Sequence, residues 1–351
     1  MLFALEMIGL VVILVVIHEF GHFATAKLFG VRVHEFGIGF PPKFLGIRKG
    51  ETEYTLNLIP LGGFVKLAGE NDPEEPRSLA SKPALVRGII LSAGSFMNVV
   101  LAIAIFSVLF MVPNDVTVGD VIIEEVNAGS PAEGAGLLAG DRVISADGHE
   151  VESINELAAR ISRNLGSDLS ITVDRGGATK KVSLVPRWRP PEGEGAAGVF
   201  LRLENYSIET RSDPFWKAVP KGVGEVGTVL SLIWNSLTQW VRGDAPFPGS
   251  GPVGIVSGTH EVVEQNGVLV LIPIAALLSV SLAIFNILPI PALDGGRLLF
   301  VVIESVRRGK RIPPEKEGLV HMIGFALLIA MVLAISYNDV LRIIRGESFV
   351  R

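Results

Sequence analysis

The chain contains no cysteine among its 351 residues. Disulfides, thiolate-held metals and thiol nucleophiles are therefore excluded, and a metal site must draw on His, Asp or Glu. Histidine is scarce, with six in the whole chain, so an imidazole pair at ligand spacing stands out. Charge is thin as well: 19% of residues are charged, against roughly 25% in soluble chains. There is no basic excess, because Lys+Arg 31 against Asp+Glu 36 leaves a net charge of -5. That balance argues against a nucleic-acid partner, which calls for a basic face. No Lys or Arg precedes Lys27, and no small-residue cleavage site follows the first apolar run. That run therefore reads as a retained span and not as a signal peptide.

What is abundant is apolar surface, at 49% of residues. Four stretches are long enough to cross a bilayer, which takes about 20 apolar residues. They run from Met1 to Lys27, between Arg87 and Asp115, between Glu264 and Asp294, and between Glu317 and Asp339. Basic residues cluster in the loop from Arg32 to Arg87 and again from Arg297 to Lys316. The positive-inside rule puts both short loops in the cytoplasm, and both termini and the long segment 115–264 outside.

That long segment has the marks of a small α/β module. Val121 to Val126 and Asp141 to Ala146 read as strands, the second closed by Asp147-Gly148. Ser130-Pro131 opens a short turn, and Ser153-Ile154-Asn155-Glu156 is a capping box that starts a helix. Leu169 to Asp174 and Lys180 to Val185 pair around Gly176-Gly177. The run SPAEGAGLLAGDRVISADG at 130–148 resembles a PDZ domain, a module that adds a peptide strand to its sheet edge. Residues 188–213 read as a linker, rich at first in Pro and Gly. Asp213-Pro214 reads as the start of an amphipathic helix over 214–241, lying on the membrane or on the module.

The chemistry lies in His18-Glu19-Phe20-Gly21-His22. On a helix, residues four apart share a face, so both imidazoles can bind one zinc ion, with Glu19 placed to take a proton from an activated water. Three ionisable groups inside one span are costly without a compensating cation. Catalytic zinc takes three protein ligands, and the candidate third is Asp294, in Asn286-Ile-Leu-Pro-Ile-Pro-Ala-Leu-Asp294-Gly-Gly. The topology brings Asp294 and the two histidines to one depth on one side, provided that the 214–241 helix does not cross.

Together these motifs resemble the site-2 protease family of intramembrane zinc metalloproteases, and within it the bacterial regulator-of-sigma-E-protease branch with a single PDZ domain. The resemblance implies a polytopic α-helical membrane protein of about four transmembrane helices, with an inserted α/β PDZ domain and a re-entrant β-hairpin. It implies Zn2+ held by His18, His22 and Asp294, with Glu19 as the catalytic base. It makes Asn286 and Asn98 substrate-site residues. It also makes Tyr54, Thr55, Leu56 and Asn57 a strand on which an unwound substrate could pair. The implied domains are 1–113 (first membrane half), 114–187 (PDZ), 188–264 (linker and amphipathic helix) and 265–351 (second membrane half). Expected partners are single-span membrane substrates such as anti-sigma factors or signal-peptide remnants, peptide C-termini at the PDZ domain, and the lipid bilayer. The expected location is the bacterial inner membrane, with the PDZ domain extracytoplasmic. Two alternatives share the motifs: a non-catalytic membrane PDZ scaffold with a structural metal, and a zinc hydrolase of lipids.

Overall fold

A computed structural model describes residues 2–70, 74–191, 193–243 and 250–349, without the side chain of Leu61. The chain divides into two compact units, one of residues 1–109, 219–226 and 249–351, the other of 110–218 and 227–248.

In the first unit, four described helices are long and apolar enough to cross a membrane. They are α1 (Leu2–Leu28), α2 (Ala84–Met111), the stretch Val268–Ile287, which holds a short 3-10 turn and α7 (Leu271–Ile287), and α9 (Pro314–Ile344). All four fall where the hydropathy places them. Helix α6 (Pro252–Asn266) precedes the third of these stretches, and α8 (Asp294–Val306) follows α7 through the prolines of the Asn286–Asp294 run.

Between α1 and α2 lie two long strands, β1 (Val33–Lys49) and β2 (Thr52–Leu67). Their register is richer than a hairpin. Residues 43–49 run antiparallel to 52–57, around a turn at Gly50-Glu51. Residues 35–38 then pair with 53–56 in the same direction, Glu35 opposite Glu53 and Ile38 opposite Leu56, and antiparallel with 63–66 on their other side. The outcome is four extended segments, with 52–57 inside and 43–49 and 63–67 at the edges. An apolar cluster of Ala26, Val33, Leu67 and Ile90 ties this sheet to α1 and α2. The acidic run from Glu70 to Glu75 reads in sequence as a solvated loop. Glu70 instead pairs with Arg297 at 2.7 Å and Glu75 with His34 at 2.7 Å, while residues 71–73 lie outside the described residues.

The second unit is built on a sheet of order β7-β6-β4-β3-β8. Its strands are β3 (Asn114–Val126), β4 (Arg142–Ala146), β5 (His149–Glu150, paired to β4), β6 (Leu169–Arg175), β7 (Ala178–Leu184) and β8 (Val199–Arg211). Two short helices cover it. In α3 (Pro131–Gly134) the Ser130 hydroxyl accepts the Glu133 N–H, and in α4 (Ile154–Arg163) Ser153 does the same for Glu156, each satisfying an orphan amide of the first turn. The core is apolar, with Val121, Ile123, Leu137, Leu157, Leu169 and Val173 all at 2% exposure or less. Asp141, at the Gly-Asp turn, is fully buried. Burial alone would push its carboxyl up, but the Arg175 guanidinium at 2.6 Å and the Leu138 N–H hold it below the ordinary carboxylate range.

β8 corrects the expectation of a linker over 188–213. From Val199 onward the chain pairs with β3 along its whole length, Val199 opposite Val126 and Arg211 opposite Asn114. The Pro and Gly signal ends at Gly198; Val199, Leu201 and Leu203 then pack on the core at strand period. The helix beyond it, α5 (Phe215–Arg242), starts with Pro214 rather than Asp213 at its cap, and is not among the four helices able to span a membrane.

Candidate metal centre

Helix α1 places His18 and His22 one turn apart, both buried, with ring centroids 4.9 Å apart. Neighbouring atoms fix which ring nitrogen is free. His22 donates Nδ1–H to the Ile90 carbonyl at 2.8 Å, which leaves its Nε2 as a lone pair. The Nδ1 of His18 faces the carboxamide of fully buried Asn98 at 3.3 Å. Ser279 in turn donates to the main-chain carbonyl of Asn98 at 2.8 Å, tying α7 to α2 behind the histidines.

Asp294 opens α8 and brings the third donor. Its Oδ2 lies 3.0 Å from His18 Nε2 and 3.1 Å from His22 Nε2, and the two Nε2 atoms are 3.2 Å apart. Three lone-pair donors at such separations repel unless a proton or cation lies among them. Tetrahedral zinc with bonds of about 2.0–2.1 Å sets its ligand atoms roughly 3.3 Å apart. The donor set therefore fits zinc in both chemistry and spacing. The Asn98 Oδ1 is buried without a partner, and turning its carboxamide over would let it accept Nδ1–H from a His18 whose Nε2 ligates.

Space for an ion is made by Gly94 on α2. A Cβ built there would overlap the Nε2 atoms of both His18 and His22. Gly21, between the histidines on α1, serves close helix approach: a Cβ on it would strike the Ala93 carbonyl. Asp294 is held by its own turn and by a remote clamp. Gly295 packs against the Leu288 and Ile287 carbonyls where no side chain fits. Further along α8, Glu304 meets Arg87 of α2 at 2.7 Å, both nearly buried, and Arg311 at 3.2 Å. Burial alone would push the Glu304 carboxyl up, but the two guanidiniums hold it below the ordinary range. Removing one member of such a buried pair costs about 3–5 kcal/mol.

Among the described residues the converging donors are three, His18, His22 and Asp294, and Glu19 stands outside the set. A zinc ion held by three protein donors would keep a position for water, as catalytic zinc sites do. Glu19 lies within electrostatic range of all three donors, and its carboxylate meets the Val65 backbone amide at the edge of the β1–β2 sheet.

The other expected site residues separate. Asn98 is a buried support of His18. Asn286 donates to the Leu282 carbonyl of its own helix at 3.1 Å. Thr55 donates to Glu35 at 2.7 Å and Asn57 to the Gly39 carbonyl at 3.1 Å, while Tyr54 packs on Phe23 and Phe36 and Leu56 is exposed. The expectation that Tyr54, Thr55, Leu56 and Asn57 form a pairing edge is corrected. Residues 53–56 are bonded on both sides, to 35–38 and to 45–48, so the backbone of Tyr54–Leu56 has no free flank for another strand, and Asn57 lies opposite Lys43. The residues sequence reasoning missed are Gly94, Ile90, Ser279 and the Arg87–Glu304 pair. Only Gly94 left a trace, in the small-residue run Ala93-Gly94-Ser95.

Comparison with known proteins finds a peptidase family and zinc metalloproteases. The model of Peptidase family M50 matches residues 6–331. Zinc metalloprotease RasP of Geobacillus kaustophilus is 31% identical over 93% of this chain and 95% of its own length. Membrane metalloprotease ARASP of Arabidopsis thaliana, chloroplastic, is 32% identical over 96% of this chain and 78% of its own. The solved PDZ domain of an SdrC-like protein from Listeria monocytogenes matches 24% of this chain and 90% of its own at 25% identity, with a TM-score of 0.22. With most of its length inside the matched span and its three converging donors carried by that span, the chain belongs to peptidase family M50.

Proposed function

We propose that this multi-pass membrane protein is a zinc-dependent endopeptidase that cuts peptide bonds within the membrane-spanning segments of other proteins. The observation that carries the reading is the convergence of His18, His22 and Asp294 from α1 and α8, with Glu19 beside them and outside the ligand set. Bound there, zinc would supply a Lewis acid that lowers the pKa of water to about 7. The protein's own groups do the rest. Ile90 and Asn98 orient the imidazoles, Asp294 completes the ligand set, and Glu19 takes the proton of the attacking water and passes it to the leaving amine.

A substrate helix must open before its carbonyl is reachable. The edge that supports strand pairing is 63–67, because Gly63 lies 3.6 Å from Glu19 (measured from where its Cβ would stand) and Val65 meets the Glu19 carboxylate. Asn286 is proposed to meet the substrate backbone near the scissile bond. The second unit is proposed to be a PDZ domain on the extracytoplasmic side of a bacterial inner membrane, in line with the basic loops 32–87 and 297–316. Its order leaves two edges. β7 carries Lys180 and Lys181, which discourage strand addition, whereas β8 begins Val199-Phe200-Leu201 and packs beside α4. An incoming peptide C-terminus is proposed to pair along β8.

The test is metal removal. Purified protein in lipid is given a tagged single-span substrate before and after treatment with a strong chelator. Cleavage is expected to fall to background on chelation and to return on adding back about one equivalent of zinc. Undiminished cleavage by the metal-free protein would overturn the reading. A scaffold with a structural metal predicts no cleavage at any stage.

A further inference from the structure

The loop that delivers Asp294 is strained and is held from outside. Ala292, two residues before the carboxylate, sits at φ +78°, a region an alanine rarely adopts. Such a conformation persists only where the surroundings enforce it. The enforcing contact comes from α9. His321 accepts the Ala292 N–H on its Nδ1 at 2.8 Å. One turn along the same face, Gly324 lies against Pro291 so closely that a Cβ on it would overlap the proline ring. Phe300 of α8 flanks the imidazole, with ring centroids 5.5 Å apart. In sequence His321 reads as a surface or interface histidine, with no metal spacing to any other. Yet α9 is otherwise largely exposed, and Gly324 and Asp339 are its only buried residues among those described. Its firm contact with this part of the protein is therefore made where the metal-ligand loop turns.

We infer that His321 is a positioning residue for the metal centre: by accepting the Ala292 N–H it holds the Pro291–Leu293 turn that aims Asp294 at His18 and His22. It touches neither substrate nor ion, and the inference rests on the reading of those three residues as the zinc ligands. An acceptor at Nδ1 is what the role requires. His321→Leu removes it and leaves the N–H of a strained residue without a partner. His321→Asn keeps a carbonyl oxygen close to the position of Nδ1. Gly324→Ala leaves the imidazole intact and pushes Pro291 off the helix, which gives an independent handle on the same turn.

The experiment measures zinc retention against a competing chelator, together with kcat and KM for a single-span substrate, in the full-length protein and these variants. Outer contacts of metal ligands are typically worth 10–100-fold in metal affinity or activity. His321→Leu is expected to lower zinc affinity about tenfold and kcat by a similar factor, with KM unchanged, since no substrate contact is lost. His321→Asn is expected to recover most of both, and Gly324→Ala to resemble His321→Leu. Should His321→Leu misfold, the Asn and Gly324→Ala variants carry the test by the same readouts. Zinc-loaded wild type beside a His321→Leu variant of equal affinity and kcat would overturn this inference alone. An Asn variant as weak as the Leu variant would overturn the acceptor role. A wild type that binds no zinc would overturn the metal reading and this inference with it.

Discussion

Glu19→Gln lowers kcat for cleavage of a single-span substrate by about 10²–10⁴-fold, the range of a lost general base, while bound zinc stays at the wild-type level. Glu19 is not among the three converging donors, so replacing its carboxylate with an isosteric amide takes nothing from the metal. It does take away the group that accepts the proton of the attacking water. The Val65 amide that meets the carboxylate still finds an oxygen in the glutamine, so the local fold is kept. Assaying zinc and turnover on the same preparation separates the possibilities. Zinc lost together with activity would make Glu19 a ligand and refute its role as base. Activity retained would refute it from the other side.

Gly94→Ala removes the metal. By helix propensity alone the change is favourable, since alanine stabilises a helix interior by roughly 0.5–1 kcal/mol over glycine. The local geometry gives the opposite sign for function. The added methyl would occupy the space shared by the Nε2 atoms of His18 and His22, and α2 is fixed in place by the Ile90 and Asn98 contacts to those rings and by the Arg87–Glu304 pair. The expected result is a folded protein whose metal-free form melts close to metal-free wild type, with zinc affinity reduced on the order of 100-fold, the upper range for perturbing the surroundings of metal ligands, and with the extra stability that zinc gives wild type lost accordingly. Cleavage is lost in proportion and recovered only at high added zinc. Chelator competition and a melting curve on one sample check this. Full zinc affinity in Gly94→Ala would show that the ion does not sit between the two imidazoles.

The site was legible in the sequence to the extent that it is local. The i, i+4 pair of His18 and His22 is a helix-face pattern, and Asp294 follows from the depth of two spans. Capping at Ser130 and Ser153 is likewise a short-range signal, and the four apolar runs fell where hydropathy put them. What could not be read depends on register and on packing among distant segments. The placement of Tyr54–Asn57 inside the sheet is set by the parallel pairing of 53–56 with 35–38, and no local pattern announces which of two neighbours a strand will take. β8 was hidden behind a Pro and Gly stretch that ends one residue before it begins. The space beneath Gly94 exists only once α1, α2 and α8 have met.

The most direct measurement is zinc K-edge X-ray absorption on the purified full-length protein. The expected result is about one zinc per chain, with two imidazole nitrogens at about 2.0–2.1 Å and the remaining ligands oxygen at about 2.0–2.2 Å. Imidazole scattering from one ring or from three, or a protein that retains no zinc at all, would contradict a centre built from His18, His22 and Asp294.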